Sequence, residues 1–216
     1  MLAYVSWHRP AQDVGASRYE QALERFHRSL AQRSPSGFRG SGTFRAAELP
    51  WLAAAAESSA SAHGTTAPSG AADDSQPPAG GYEDWYLLDS WSALGVLEEA
   101  AISRGHSSAH DAVASKAEIS LAGVYRLSEG HACLADTRVA VWVKRPRGHD
   151  SPALADLLGD GIEPERTGLW RRCVGLGPAP EYCLLGCEPS AGVAATRLPA
   201  GWHAQAGQRQ LIWAAP

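Results

Sequence analysis

Three residues on two predicted strands carry side chains able to exchange protons with a small molecule. His8 lies near the end of a strand predicted at 2–9, and Asp84 and Tyr86 lie on a strand predicted at 82–88. Because side chains alternate along a strand, Asp84 and Tyr86 share one face. If His8 shares that face, the carboxylate holds one imidazole nitrogen and leaves the other free to take a proton, while the phenol donates to a developing oxyanion. The pattern predicts acid–base catalysis by these three residues.

Further polar and aromatic side chains are expected to complete a central cavity. We assume that the more apolar face of each strand packs on helices, which turns the other face inward. The predicted ligand-binding residues on the inward faces are Ser6, Trp142, Lys144 and Glu181, with Cys183 beside them. A cavity with this lining suits a polar aromatic ligand. The alternative is a packed interior in which Asp84 forms a structural ion pair with Arg45 or Lys144.

Three other histidines are the candidates for a metal or a haem. His106 and His110 are four residues apart, which places two ligands on one helix face when a third is near. Gly105 and the two serines between them are expected to break that helix, so no metal site is predicted. His27 is expected to be a boundary residue of the first helix that hydrogen-bonds a loop, and it is also the helical histidine best placed to ligate haem. No cofactor is required by these residues, and haem is left open.

The elements that position these residues follow the order strand, helix, strand, strand, helix, strand. The first helix has Ser17 and Glu20 as a capping box, and the second has Asp89 or Ser90 as its N-cap. Apolar residues recur at helical spacing in both, as Tyr19, Leu23, Phe26 and Leu30 in the first and Trp91, Leu94, Leu97 and Ala101 in the second. The remaining predicted elements are strands at 42–47 and 123–127 and a short helix at about 108–117. Segment 53–80 is low in complexity and is predicted to be a disordered insertion.

The pattern then restarts in the second half of the chain. VAVWVKRP at 139–146 matches AYVSWHRP at 3–10, and both end in Arg-Pro. In the same order, GLWR at 168–171 echoes GTFR at 42–45, and EYCLL at 181–185 echoes DWYLL at 84–88. A helix after Ser151, a shortened helix at 190–197 and a strand at 210–214 fill the remaining places. Ordered echoes indicate an internal duplication. We expect two units, 1–130 and a degenerate 131–216, that superpose with Trp7 over Val143 and Trp85 over Tyr182.

A βαββαβ unit is the ferredoxin-like arrangement, an antiparallel sheet with helices on one face. Two units can stack their open faces and enclose a barrel. In its element order and its internal echo, nearly the whole chain resembles the dimeric α+β barrel superfamily, with both halves supplied by one chain. That superfamily includes antibiotic-biosynthesis monooxygenases, chlorite dismutases and dye-decolorising peroxidases. The resemblance implies an α+β fold of two tandem ferredoxin-like units. It also implies that ligands, and in some branches haem, lie between sheet and helices or within the barrel.

Composition and charge argue against nucleic acid and membranes as partners. The net charge is −4 with no basic block, which argues against a nucleic-acid surface. No apolar stretch reaches spanning length, and the first residues do not form a signal peptide. The cysteines form no paired-dithiol metal pattern and suit reduced thiols of a cytoplasmic protein; they are Cys133, Cys173, Cys183 and Cys187. The expected partner is a small-molecule ligand, without nucleic acid or membrane, and a homodimer is left open.

Two classes of function follow from these features. The first is a small-molecule enzyme of the monooxygenase or isomerase kind. The second is a non-catalytic ligand-binding or scaffold protein of the same fold. An open, polar cavity with a carboxylate of shifted pKa favours the enzyme. A cavity filled by Trp142, Tyr86 and Phe44 favours the scaffold.

Overall fold

The computed structural model describes residues 1–47, 49–52, 54, 80–102, 106–132, 134–146, 165–176, 178–186, 198 and 200–215. Their strands are β1 (Leu2–Pro10), β2 (Phe38–Ala46), β3 (Gly81–Leu88), β4 (Ala117–Gly130), β5 (Val139–Lys144), β6 (Thr167–Leu176), β7 (Tyr182–Gly186) and β8 (His203–Ala215). Their helices are α1 (Ala16–Gln32), α2 (Trp91–Ile102) and α3 (Ser107–Ala114). None of these helices combines the length and apolarity needed to cross a bilayer.

The eight strands close into one barrel in the order β1-β3-β2-β8-β5-β7-β6-β4, with every neighbouring pair antiparallel. The predicted α+β barrel within one chain is therefore confirmed. Strands β1 to β4 form one continuous run and β5 to β8 form the other. Several strands are longer than predicted, notably β4 and β8, because a strand must cross the tilted barrel wall from end to end.

The start of α1 differs from the sequence expectation, and the start of α2 uses the second of its two candidate caps. α1 begins after Gly15, and that start has no side-chain cap, so the capping box of Ser17 and Glu20 is wrong. Glu20 instead accepts a hydrogen bond at 2.8 Å from Nε of Arg45, a residue of β2. At α2 the cap is Ser90, whose Oγ accepts from the backbone N–H of Ala93, while Asp89 pairs with an arginine.

The interior of the barrel is filled by aromatic rings. Five tryptophans and a tyrosine from strands all around the wall and from the segment after β2 form one connected cluster, in which Trp7 and Trp142 have ring centroids 5.2 Å apart; its members are Trp7, Trp51, Trp85, Trp142, Trp170 and Tyr125. Glu83 lies inside the barrel 3.1 Å from Arg209 and accepts a hydrogen bond from Trp142 Nε1 at 3.0 Å. An eight-stranded barrel is just wide enough to be filled by side chains, and these residues fill it.

The prediction that the polar strand faces point into the barrel was therefore wrong. Ser6, His8, Asp84 and Tyr86 lie on the outer face of the sheet, beneath the helices. Trp142 and Cys183 do point inward, but they belong to the packed core. Bulky indole rings are needed to fill the barrel, so the tryptophan-bearing face turns inward and the other face meets the helices.

The predicted overlay of the two halves is also wrong in register. Trp7 and Trp85 lie inside the barrel, whereas Val143 and Tyr182 pack on its outside. A slip of one residue moves a side chain to the other face of a strand, so equivalent positions must share a face. The structure aligns Trp142 with the inward set that includes Trp7. Apart from Ala54 and Gly80, the insertion predicted at 53–80 lies outside the described residues. So do the helices predicted after 151 and at 190–197, and Gly105, Cys133 and Cys187.

Candidate functional site

A cavity of about 320 Å³ lies between the outer face of the sheet and the three helices. It is partly open to solvent and bounded by β1, β3 and the start of β4 on one side. Its wall is lined by Tyr4, Ser6, His8, Tyr19, Phe26, Asp84, Tyr86, Leu97, Glu98, Ala101, His110, Val113, Ala114, Ala117 and Glu118. All three predicted catalytic residues are in this wall. Its volume is at the lower end of the range typical of small-molecule sites.

His8 and Asp84 meet in this wall. In the antiparallel pairing of β1 with β3, Asp84 lies opposite Ser6. His8 is two residues beyond Ser6, so its side chain is on the same face and diagonal to Asp84. His8 Nε2 lies 3.0 Å from Asp84 Oδ2, and each side chain is 5% exposed. The other ring nitrogen, Nδ1, is 2.8 Å from the hydroxyl of Tyr19 on α1. The expectation that this nitrogen is free was wrong, because it is in contact with the Tyr19 hydroxyl.

A second histidine, which is not part of the cavity wall, lies close to Asp84. His27 is fully buried on α1, with Nε2 3.4 Å from Asp84 Oδ1 and Nδ1 2.8 Å from Ser41 Oγ. Its ring stacks on Tyr86 with centroids 5.1 Å apart. The expectation that His27 is a boundary residue bonded to a loop is therefore wrong, because it is fully buried and its partner Ser41 is on β2. Both of its nitrogens face protein partners, so the histidine named as a haem candidate presents no nitrogen to a cofactor.

The position of His27 in the sequence already indicated that its side chain is buried. His27 follows Leu23 by four positions and Tyr19 by eight, so it belongs to the buried stripe of α1. The same stripe places Tyr19 against His8. A polar residue within an apolar helical stripe indicates a buried polar partner, because an unpaired one is costly.

The charge of Asp84 depends on these neighbours. Burial by itself raises the pKa of a carboxyl group, and here the two imidazoles outweigh burial and lower the pKa of Asp84. Tyr86 also donates a hydrogen bond to Asp84 Oδ2 at 3.3 Å. The two Nε2 atoms approach the carboxylate without hydrogen-bond alignment. The contact strengthens when an imidazole takes a proton, because it then joins two opposite charges.

The phenols around this carboxylate stay protonated. Burial, followed by the charge of Asp84, raises the pKa of both Tyr19 and Tyr86. The pKa of Tyr4 is raised to about 12, mainly by burial and then by the negative charges of Glu98 and Asp84. At neutral pH each of these tyrosines is a hydrogen-bond donor. The cavity wall thus combines a buried carboxylate, the imidazoles of His8 and His110, and three phenolic hydroxyls.

The other candidate residues lie apart from this cluster. His106 precedes α3 and its Nδ1 is 3.1 Å from Ser29 Oγ, whereas His110 faces Asp111 at 3.2 Å and lines the cavity. No group of three or more ligand-type side chains suited to a metal occurs in the part of the chain that the structure describes.

The predicted ligand-binding residues of the second half serve other contacts. Glu181 accepts from the backbone N–H of Arg145 at 3.1 Å and lies 3.4 Å from Arg172. Lys144 is exposed at the end of β5. The structural ion pair proposed for Asp84 with Arg45 or Lys144 is wrong, because histidines occupy that place.

Comparison with known proteins gives fold relatives. No family model matches the chain, and no curated protein matches it. Two similar solved structures are an "anthrone oxidase-like protein" (TM-score 0.53, 10% identity, 99% of this chain and 92% of that chain) and a "putative monooxygenase from Lactobacillus acidophilus NCFM" (TM-score 0.51, 10% identity, 99% of this chain and 95% of that chain). Both similarities extend over nearly the entire chain, and they show a shared barrel fold.

Proposed function

We propose that this protein is a small-molecule enzyme that binds a compact aromatic ligand between its sheet and helices and begins by removing a proton from it. The observation that carries the proposal is the contact series Tyr19–His8–Asp84 in the wall of an open cavity. A phenol, an imidazole and a carboxylate in that order form a proton relay.

The relay works from the cavity inward. A ligand proton passes to Tyr19 Oη while the hydroxyl proton of Tyr19 moves to His8 Nδ1, 2.8 Å away. The imidazolium so formed lies 3.0 Å from Asp84, whose negative charge stabilises it. The raised pKa of Tyr19 keeps it a phenol at rest, so the two proton transfers occur together.

The step that follows depends on the ligand. In an aromatic ketone with an acidic CH2 group, proton loss gives an electron-rich anion that reacts with dioxygen. The CH2 group becomes a carbonyl, one oxygen atom enters the product, and the other leaves as water. An isomerase instead returns the proton to another carbon. Both reactions start with the same proton removal.

The fold relatives are consistent with this class of chemistry. One is named for an anthrone oxidase and the other for a monooxygenase. Anthrone is an aromatic ketone with an acidic CH2 group, so it is a suitable probe. Buried aromatic side chains such as Phe26 and Tyr86 give the cavity the flat apolar surfaces that such rings need.

The test is to incubate the full chain with anthrone and follow both oxygen uptake and exchange of the CH2 protons with deuterium from solvent. We expect His8→Asn and Asp84→Asn to abolish both processes. The control is His203→Asn, a change at an exposed position of β8, which should leave both unchanged. Exchange without oxygen uptake supports the isomerase form. If folded wild-type protein accelerates neither process, the enzymatic proposal is wrong for this ligand class.

The alternative is a non-catalytic ligand-binding or scaffold protein. The packing of the barrel interior by Trp142 and Phe44 favours it, because that space serves stability alone. The outer cavity would then bind a ligand without changing it. Tight binding of anthrone with no exchange and no oxygen uptake would support this alternative.

We also propose that the barrel arose by tandem duplication of a ferredoxin-like unit. What supports this is the order of strands, which is β4-β1-β3-β2 in the first half and β8-β5-β7-β6 in the second. Each half thus places its fourth strand beside its first. The sequence echoes occur in the same order, displaced by one residue at β5 and at β7.

A further inference from the structure

We propose that the cavity selects uncharged aromatic ligands over anionic ones, and that Glu98 at its mouth is a specificity-determining residue. The proposal concerns the same cavity as the proposed function. It is tested by binding alone, so its outcome does not depend on whether the protein is an enzyme.

The first argument is the charge of the cavity wall. Three carboxylates line it, Asp84 in its depth and the exposed Glu98 and Glu118 on α2 and β4. Within the described residues, no lysine or arginine is part of this wall. The basic side chains that line it are the histidines His8 and His110. A ligand therefore enters past negative charge that no fixed cation of the described wall offsets.

The second argument is that the carboxylates differ in their compensation. Asp84 is buried, lies within 3.4 Å of two imidazoles and accepts a hydrogen bond from Tyr86. Glu98 has no cationic partner within the described ranges, and its charge reaches Tyr4, where it adds to burial in raising the pKa of the phenol. The field at the mouth of the cavity is thus set by the two exposed glutamates more than by Asp84, and Glu98 is the one whose charge reaches Tyr4.

The third argument is the kind of surface beside that charge. Tyr4 and Tyr86 have ring centroids 5.9 Å apart and line the cavity next to the apolar Leu97. Aromatic and aliphatic walls bind flat rings, and an exposed carboxylate accepts hydrogen bonds from hydroxyl groups of a ligand. A neutral hydroxylated ring system meets both needs, whereas an acid of the same shape meets repulsion.

The expected size of the preference for neutral ligands follows from the exposure of Glu98 to solvent. A charge partly screened by solvent interacts with an anion several ångströms away by an amount worth about threefold to tenfold in affinity. The preference therefore appears as a ratio between two ligands of equal shape. It is greatest at low ionic strength, because salt screens exposed charges.

The test uses two anthraquinones substituted at the same carbon, one with a hydroxymethyl group and one with a carboxylate. Their dissociation constants are measured at low salt with wild type, Glu98→Gln and Glu98→Lys. We expect wild type to prefer the neutral probe, Glu98→Gln to bind the carboxylate about threefold to tenfold more tightly, and Glu98→Lys to bind it more tightly still. Affinity for the neutral probe should change little in Glu98→Gln, whose amide oxygen still accepts a hydrogen bond, and should fall in Glu98→Lys, which has no acceptor.

The matched control is Glu129→Lys, which makes the same change of charge on an exposed residue of β4 outside the cavity wall. It should leave the ratio of the two affinities unchanged. An equal shift in Glu129→Lys would mean that net charge, and not Glu98, sets the preference. Equal affinity of wild type for both probes, or binding of neither, would overturn the proposal.

Discussion

His8 Nε2 lies 3.0 Å from Asp84 Oδ2 although the two residues are not opposite each other in the sheet, since Asp84 is paired with Ser6. The diagonal contact leaves the opposite ring nitrogen of His8 directed at Tyr19 on α1. A strand pair and a helix therefore have to dock correctly before the three groups meet. Each prediction below tests one part of that arrangement or of the core that supports it.

Replacing Tyr19 by Phe should break the proposed relay. The hydroxyl is the group that contacts His8 Nδ1, and its loss removes the proton acceptor that faces the cavity. We expect anthrone turnover to fall by about a hundredfold or more, since positioned acid–base groups contribute on that scale. Rates at saturating probe provide the measurement.

Tyr82→Phe is the matched control for this change. The hydroxyl of Tyr82 donates to Glu20 at 3.1 Å, and Tyr82 does not line the cavity. Its loss should leave turnover within about twofold, because a contact outside the reacting groups adds little to the rate. Equal losses in the two variants would mean that Tyr19 acts only through stability.

The stability of the protein should fall in acid through Asp84. The pKa of this carboxyl is lowered in the folded state, because the two imidazoles outweigh the opposing effect of burial. Its contribution is therefore fully present above the unfolded value of about 4 and is lost as pH falls below it. Asp84→Asn should lower the free energy of unfolding at neutral pH and reduce its dependence on pH below about 4. Urea unfolding at several pH values measures both.

Asp89→Asn serves as the control for the acid effect. The pKa of Asp89 is also lowered, by its hydrogen bond and charge contact with Arg39, but the pair is exposed. Solvent screening makes such pairs weak, so this variant should change stability much less. If Asp89→Asn matched Asp84→Asn, burial beside the histidines would not be the cause.

Trp142→Phe should affect stability and not ligand binding. The indole N–H of Trp142 donates to buried Glu83, and its ring packs among the tryptophans of the barrel. We expect a loss of about 1–3 kcal/mol from the unpaired acceptor and the smaller ring. Affinity for the hydroxymethyl probe should stay within about twofold. A large loss of affinity would place the ligand inside the barrel.

Two glycines near α2 should respond in opposite directions to alanine. Gly37 has φ of 79°, and a Cβ there would lie 2.6 Å from Ala93 Cβ, so Gly37→Ala should destabilise the fold by about 1–3 kcal/mol. Gly95 lies within α2, and a Cβ there meets nothing within 4 Å. Gly95→Ala should stabilise by about 0.5–1 kcal/mol. Thermal unfolding of the two variants side by side provides the measurement.

The sequence by itself determined the elements and the grouping of residues on them. Alternation placed β1 at 2–9 and β3 at 82–88, each within one residue of the bounds in the structure. Helical spacing identified the buried stripe of α1 from Tyr19 to Leu30. The order of elements led to a closed α+β barrel. These features depend on local periodicity, which a chain carries without knowledge of its neighbours.

Only the tertiary structure decided which face of each strand turns inward. All eight positions of β3 are buried, because one face packs in the barrel and the other beneath the helices. Alternation separates such residues into two sets without saying which set is which. The choice depends on volume, since the rings of Trp7, Trp85 and Trp142 fill the barrel and leave His8 and Asp84 outside it. Tyr19 and His27 join them only through the docking of α1, a long-range contact that no local pattern encodes.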